Sequence, residues 1–381
     1  MNKKATKTMT TSKQNSIEVL NEFGSCQDKE ESLFNHNCPH CYSQKTKIHS
    51  RYQTKNNGER KMLICEECGS YFSETYGTTI ARLATPLSEI IRVLKARMEG
   101  MGLNAASRTF GYSKNTIKDW EEKLSSLQES LFIYALMNEF MQLVIEGDEL
   151  YTKVKKNEEA SASEGWTVVM MERASRFIWT LKCGKKERRL FLEAVITVAE
   201  LFERSTDYIH LFTDGERRYS QLLFDICHEV LKTGKRGRPS KVLPKGLVIR
   251  LKNKSSKRRD AHGKLQKVEK PKPEHPQTTD IPKKADVHAN HVEAFNSSIR
   301  RYLSAFRRRT NTYAKSVVGL QRVLDIFWIV HNFVRTHFTT RKVPAVALCI
   351  IKKGLTWEDL LQLRRFCCFP YSETFLTSKL G

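Results

Sequence analysis

The chain has 381 residues, room for about two to three domains, and its 65 Lys and Arg against 42 Asp and Glu give a formal net charge of +23 and a pI near 9.6. Such a surface attracts polyanions, nucleic acid foremost and acidic membrane second. No run approaches the roughly 18–20 uninterrupted apolar residues of a spanning helix: the longest candidate, Val323 to Val334, is broken by Asp325, His331 and Asn332, and the basic start Met1-Asn2-Lys3-Lys4 has no apolar core behind it. The expectation is a cytoplasmic protein without a membrane anchor.

Residues 1–34 are rich in Lys, Thr, Ser and Asn without hydrophobic period, the composition of a disordered tail. Residues 35–78 carry Cys38-Pro39-His40-Cys41 and Cys65-Glu66-Glu67-Cys68. Two Cys-x2-Cys knuckles make the halves of a tetrahedral zinc site, and Asn56-Asn57-Gly58 between them marks a hairpin. The pattern predicts a zinc ribbon with a structural Zn2+ on Cys38, Cys41, Cys65 and Cys68. His40 offers an alternative ligand, but four cysteines make the simpler site. Of the ten cysteines, Cys183, Cys227, Cys349, Cys367 and Cys368 read as small buried hydrophobes, and Cys26 stands in the polar tail.

Residues 85–128 read as helical. Pro86 suits a first turn, and Ile90, Ile91, Leu94 and Met98 recur at helical spacing. Leu103 to Trp120 then gives a short helix, a turn at Gly111 and a second helix capped by Ser113: a helix-turn-helix. Lys114, Asn115, Thr116 and Lys118 at its exposed start would meet a major groove, while Ile117 and Trp120 face inward. An ordinary helical hairpin is the alternative.

Residues 140–340 form one further domain, in which 141–252 alternate strands and helices, an α/β pattern. The apolar run Val144 to Gly147 ends at Asp148. Trp166–Met171 and Phe177–Leu181 pair as strands, Glu187–Arg204 is a helix, Tyr208–Thr213 a strand ending at Asp214, Glu216–Lys232 a helix and Leu247–Leu251 a strand. Within this domain, 235–285 forms a basic insertion with 17 Lys or Arg against four Asp or Glu. Its Arg236-Gly237-Arg238-Pro239 suits a narrow minor groove, or equally a solvated charged loop. From 288 helix returns, with Val292, Phe295, Ile299, Tyr302 and Phe306 on one stripe and Glu293, Asn296 and Arg300 beside it. Spacing alone fits a solvated Glu near Arg as well as a metal ligand. Arg307, Arg308 and Arg309 extend a phosphate-contact surface, Val317 to Phe338 is a long amphipathic helix, and 341–381 is a C-terminal extension. Two strand-end aspartates and a helical glutamate suit divalent cations held against phosphate.

These motifs together resemble transposases of the type-one insertion-sequence family, within the DD(E) recombinases. The likeness covers about residues 35–350: the ribbon, the helix-turn-helix, Asp148-Glu149, Thr213-Asp214, His288 to Asn296, Arg307 to Ser316 and His331 to Arg335. It implies an RNase H-like core behind the ribbon and helix-turn-helix. Asp148, Asp214 and Glu293 would be its catalytic residues, holding two Mg2+ or Mn2+ ions. The implied activity is cleavage at element ends in double-stranded DNA and transfer of the freed 3′-hydroxyl to target DNA, by a homo-oligomer gathered around two ends. Glu149, next to Asp148 on a strand, should face the opposite side of the sheet. A non-enzymatic DNA-binding regulator accounts for the ribbon, helix-turn-helix and charge. A structure-selective nuclease accounts for the carboxylates, and an inactive relic for all of these.

Overall fold

The computed structural model describes residues 37–138, 143–155, 159–204, 208–214, 216–231, 239–251, 257–259, 262–267, 288–308 and 311–365. The tail, Cys26, Arg236, Arg238, Arg309, Cys367 and Cys368 lie outside them. The chain divides into two compact units, 1–86 with 358–367, and 87–357 with 368–381.

In the first unit, β1 (Thr46–Thr54), β2 (Gly58–Cys65) and β3 (Tyr71–Ser73) form an antiparallel sheet. Gly58 takes the left-handed conformation the turn requires, at φ 71°. Thr54 Oγ1 donates to Gly58 O at 2.7 Å and accepts from Asn57 N at 3.1 Å, closing the loop. The core is small: Leu63 and Phe72 pack with Cys38 and Cys65. So small an apolar core needs a staple. The segment 358–365 adds to this unit. Arg364 donates to Asn37 O at 2.8 Å and lies 5.2 Å from the Phe72 ring centre, and Thr79 Oγ1 donates to Leu361 O at 2.7 Å.

The second unit begins with α1 (Leu87–Met98), α2 (Leu103–Phe110), α3 (Lys114–Ser125) and α4 (Leu127–Asn138). Gly111 ends α2 at φ 75°, its N–H donating to Ser107 O, and Ser113 Oγ accepts from Thr116 N at 3.1 Å to start α3. Ile117 and Trp120 are buried, as their spacing predicts. Helix α4 goes beyond the sequence pattern, since its apolar residues ring the axis instead of forming one stripe.

A five-stranded mixed sheet follows, built from β4 (Leu143–Tyr151), β5 (Trp166–Glu172), β6 (Ile178–Gly184), β7 (Ile209–Thr213) and β10 (Leu247–Leu251) in the order β10-β7-β4-β5-β6. The β4–β5 and β5–β6 pairs are antiparallel, and β4–β7 and β7–β10 are parallel. Helices α5 (Arg188–Arg204), α6 (Arg217–Cys227), α7 (Asn290–Tyr302) and α8 (Val317–Ile329) cover it. Short strands β8 (Glu229–Leu231) and β9 (Ser240–Val242) pair with each other, as do β11 (Lys257–Arg259) and β12 (Leu265–Lys267). The chain closes with α9 (Pro344–Ala347) and α10 (Trp357–Gln362).

Three boundaries differ from the sequence reading. The helix expected over 216–232 stops at Cys227, where His228 turns extended and sets Nδ1 3.0 Å from the Phe224 and Asp225 carbonyls, covering the open helix end. Strand β8 then uses the residues assigned to its last turn. The helix expected over 317–338 relaxes into a wider turn over Val330–Val334 and ends there, with Arg335 N donating to Val330 O at 2.7 Å. That turn presents Asn332 to the sheet, where its amide bonds both N–H and C=O of Ile178 at 2.9 Å. Part of the 235–285 insertion is ordered as the two small hairpins. The stretch Val317–Val334 is long and apolar enough to cross a membrane, but most of it is buried inside the protein, where α8 packs on β6.

Candidate functional site

The four cysteines converge on two matching knuckles. Cys38 N donates to Ser43 O and Tyr42 N to Cys38 O; Cys65 N donates to Ser70 O and Gly69 N to Cys65 O, all at 2.9–3.0 Å. The equivalent Tyr42 and Gly69 both take positive φ, 61° and 68°. Cys38 Sγ lies 3.5 Å from Cys68 Sγ, Cys41 Sγ lies 3.5 Å from Cys65 Sγ, and all four sulfurs fall within 4.8 Å of one another. Tetrahedral Zn–S bonds of about 2.3 Å place sulfurs about 3.8 Å apart, so the cluster could hold zinc with four protein ligands.

The carboxylate site is built on β4. Gly147 pairs with Thr213 across the parallel β4–β7 ladder. Asp148, still within β4, and Asp214, just past the end of β7, are thus the next residues, and the Asp214 charge acts on Asp148. Asp148 lies within its strand, paired opposite Val169, and not at the strand's end as the apolar run suggested. Gly147 leaves little room here: a Cβ would stand 2.8 Å from Met170 Sδ and 3.1 Å from Thr213 Cγ2, so a larger residue requires the Met170 side chain to shift.

The third acid arrives on α7, and Glu146 determines how. Ala289 precedes this helix and brings no capping side chain. Glu146 Oε2 instead accepts from His291 N and Val292 N at 3.0 Å each, reaching across the fold to two open donors of the first turn. Its Oε1 accepts from Arg173 Nε at 2.7 Å, and Arg173 also donates to His288 O at 2.6 Å. Glu146 and Asp148 are two residues apart and share a face. Clamping the helix to one therefore fixes what the helix presents to the other. Asn296, buried one turn beyond Glu293, donates from Nδ2 to Asp148 Oδ2 at 2.7 Å, while its Oδ1 has no partner among the described residues. Asp148 is pushed up to about 6 by burial first, then by the negative charges of Glu149, Asp214 and Glu293.

Glu149 takes the opposite face, as alternation requires, 3.3 Å from Lys186 Nζ. Burial raises its pKa, and the Tyr219 hydroxyl and Lys186 partly offset this.

The described residues contain two tight groups with metal-ligand atoms within 4.8 Å: the four cysteines, and Glu146 with His288 and His291. The second could take a metal by composition, but both Glu146 oxygens are already engaged. Arg173 adds a fixed cation beside them, and burial followed by Arg176 lowers the His291 pKa. These residues act as the anchor of α7. Asp148, Asp214 and Glu293 form no group of that compactness. The mutual repulsion at Asp148 and the unpartnered Asn296 oxygen fit hard divalent cations, which prefer oxygen ligands.

Of the residues expected to meet DNA, Lys114 and Asn115 are exposed at the start of α3 and Lys118 is half-buried. The Thr116 hydroxyl lies 2.9 Å from Ser113 Oγ and is engaged in the cap. Arg300 is half-buried, and Arg307 and Arg308 are exposed. Sequence reasoning missed Glu146 and Arg173. A helix starting at Ala289 without a capping side chain was the available signal that an acceptor had to come from elsewhere. Among known proteins, no family model and no curated sequence matches the chain.

Proposed function

We propose that the chain is a DNA transposase of the DD(E) kind, which binds element ends through its zinc ribbon and helix-turn-helix and cleaves and joins DNA strands at an RNase H-like core. The observation that carries this reading is Asp148 on β4 beside Asp214, which follows the parallel neighbour β7, with the charges of Asp214 and of Glu293 on α7 both acting on Asp148. Counted within the sheet, Asp148 stands on the first strand and Asp214 follows the fourth, with Glu293 on a later helix. The family resemblance implies the same order. The charge of +23 supports a polyanionic substrate.

Asp148, Asp214 and Glu293 would hold Mg2+ or Mn2+, and the cysteines a structural Zn2+. Two bound ions supply charge neutralisation on the attacking and leaving oxygens of an in-line displacement at phosphorus. The protein's share is positioning. Asn296 orients Asp148, Glu146 and Arg173 set the height of α7 above the sheet, and Arg300, half-buried, lies on the continuation of the Glu293 face. A buried ionic link ties the helix-turn-helix to this core. Arg97 Nε bonds Glu121 at 2.7 Å, Arg322 from α8 stands 3.4 Å from the other Glu121 oxygen, and Arg322 Nη1 bonds Glu122 at 2.8 Å. DNA held by α3 would thus be held at a fixed offset from the carboxylates.

A DNA-binding regulator would use the ribbon and helix-turn-helix as well, but a cluster of half-buried, mutually repelling acids costs stability without serving it. Incubation of the full chain with element-end DNA and Mg2+ or Mn2+ tests the choice. Strand cleavage and joining by wild type, lost in Asp214→Ala with DNA binding retained, is the expected result. Equal inactivity of both proteins, with binding intact, would sink the enzymatic reading and leave the regulator.

A further inference from the structure

Beyond the carboxylates, two distant segments are locked together at the far end of β4. Val154 forms a parallel bridge with Ala314, Lys155 N donates to Ala314 O at 2.9 Å, and the Thr152 hydroxyl bonds Ala305 O. These contacts bring Lys153 and Lys315 to the same aromatic ring. Lys153 Nζ lies 4.7 Å and Lys315 Nζ 3.6 Å from the Tyr313 ring centre. Neighbouring Lys155 is neutralised by Glu164 at 2.8 Å. Lys153 and Lys315 have no such carboxylate among the described residues. Two cations on one ring, one of them also hydrogen-bonded to the Tyr313 side chain, leave a local positive charge that an anion would balance. The Tyr313 ring attracts and orients both cations, and Arg307 and Arg308 add exposed charge in the same connection.

We propose that Lys153, Tyr313 and Lys315 form a phosphate-binding subsite for the backbone of duplex DNA, downstream of the carboxylates along β4. The proposal rests on the DNA-acting reading above and adds where the duplex runs. Lys153 follows Asp148 by five residues, at most about 17 Å of extended chain. That spans about five base-pair rises of roughly 3.4 Å. By the alternation that separates Glu149 from Asp148, Lys153 falls on the Glu149 side, so the subsite would take backbone away from the face that carries Asp148. Lys153 lies two residues past the end of β4, held there by the Val154–Ala314 bridge and the Thr152–Ala305 bond.

The test is fluorescence anisotropy of the full chain with a labelled 30-base-pair duplex across a salt series, comparing wild type with K153Q/K315Q. Each phosphate neutralised contributes about 0.9 to the slope of log K against log salt. The double variant should lower the slope by roughly 1.8 and weaken binding by up to about 60-fold at 0.1 M salt. K153R/K315R should restore both. K245Q/K353Q removes the same net charge from exposed positions elsewhere and should move the slope by well under one. Equal effects of the two glutamine pairs would mean a general field and overturn the subsite, as would an unchanged slope in K153Q/K315Q. Melting curves identify a misfolded variant, in which case K153R/K315R with the single K315Q carries the comparison. Tighter binding of a single-stranded RNA than of the duplex would also overturn it. Failure of the wild type to bind DNA at all would sink the underlying reading instead.

Discussion

Glu146 and Asp148 stand two residues apart on one face of one strand, yet their surroundings are opposite. Glu146 is fully buried and surrounded by donors: Arg173 on one oxygen, two helix amides on the other. Asp148 accepts from the neutral Asn296 amide and from the Glu149 backbone, no cation among the described residues reaches it, and burial and the charges of three acids press on it. A carboxylate whose lone pairs are all used is part of the scaffold. One held among like charges stores a demand for a cation, and that demand is what a metal site requires. The two kinds are coupled, because the satisfied acid holds the helix that shapes the unsatisfied one.

The comparison breaks most readily at Asp148. Asp148→Ala should abolish strand cleavage, by about 10^4-fold or more, equivalent to about 5 kcal/mol or more of barrier. It should leave the melting temperature of the metal-free protein unchanged or raised, since repulsion is relieved. A large drop in stability would show that Asp148 belongs to the scaffold after all. Glu146→Ala should do the reverse. It strands Arg173 and two helix amides, and should destabilise by about 3–5 kcal/mol in denaturant unfolding. Glu146→Gln, which keeps an acceptor for the amides, should cost clearly less. Equal stability of Glu146→Ala and wild type would refute the anchor.

Asn296 sharpens the contrast at the contact between the two. Groups that orient metal ligands typically change affinity by about 10–100-fold when removed. Asn296→Ala should weaken Mn2+ binding by that amount in calorimetry on the full chain, with little change in unfolding. An unaltered affinity would reduce Asn296 to packing.

Local signals carry much of this fold. Cysteine spacing, Asn-Gly and the Ser113 cap act over a few residues, and the four-cysteine cluster, its hairpin and the α2–α3 turn lie where those signals put them. Strand alternation alone is enough to separate Glu149 from Asp148. The role of Glu146 is not legible in the same way. Its partners at His291 and Val292 are 145 and 146 residues away, and within its own run it looks like any polar strand residue. Asn332 is the same case, since its bonds to Ile178 cross 154 residues. Helix α4 is hidden for a different reason: an evenly apolar helix has no stripe to detect.

Glu200 on α5 offers the mildest test, because it lies between the two extremes. It is buried, with Arg204 attracting it and Glu203 repelling it, and burial pushes it up to about 7 from an ordinary 4.5. It has neither the full set of donors that satisfies Glu146 nor the acid cluster around Asp148. With its folded-state pKa raised, its contribution to stability is fully present below pH 4.5 and is lost as pH rises through 7. Glu200→Gln removes that loss. At pH 8 the variant should be more stable than wild type by about 1–2 kcal/mol, a figure reduced for partial screening by solvent. At pH 4 the two should coincide. Unfolding curves at both values decide it: a constant offset would mean that packing, not ionisation, sets the difference. A pH-dependent gap at Glu200 would also show that burial without donors suffices to strain a carboxylate in this fold. The acids around Asp148 would then account only for what exceeds that strain.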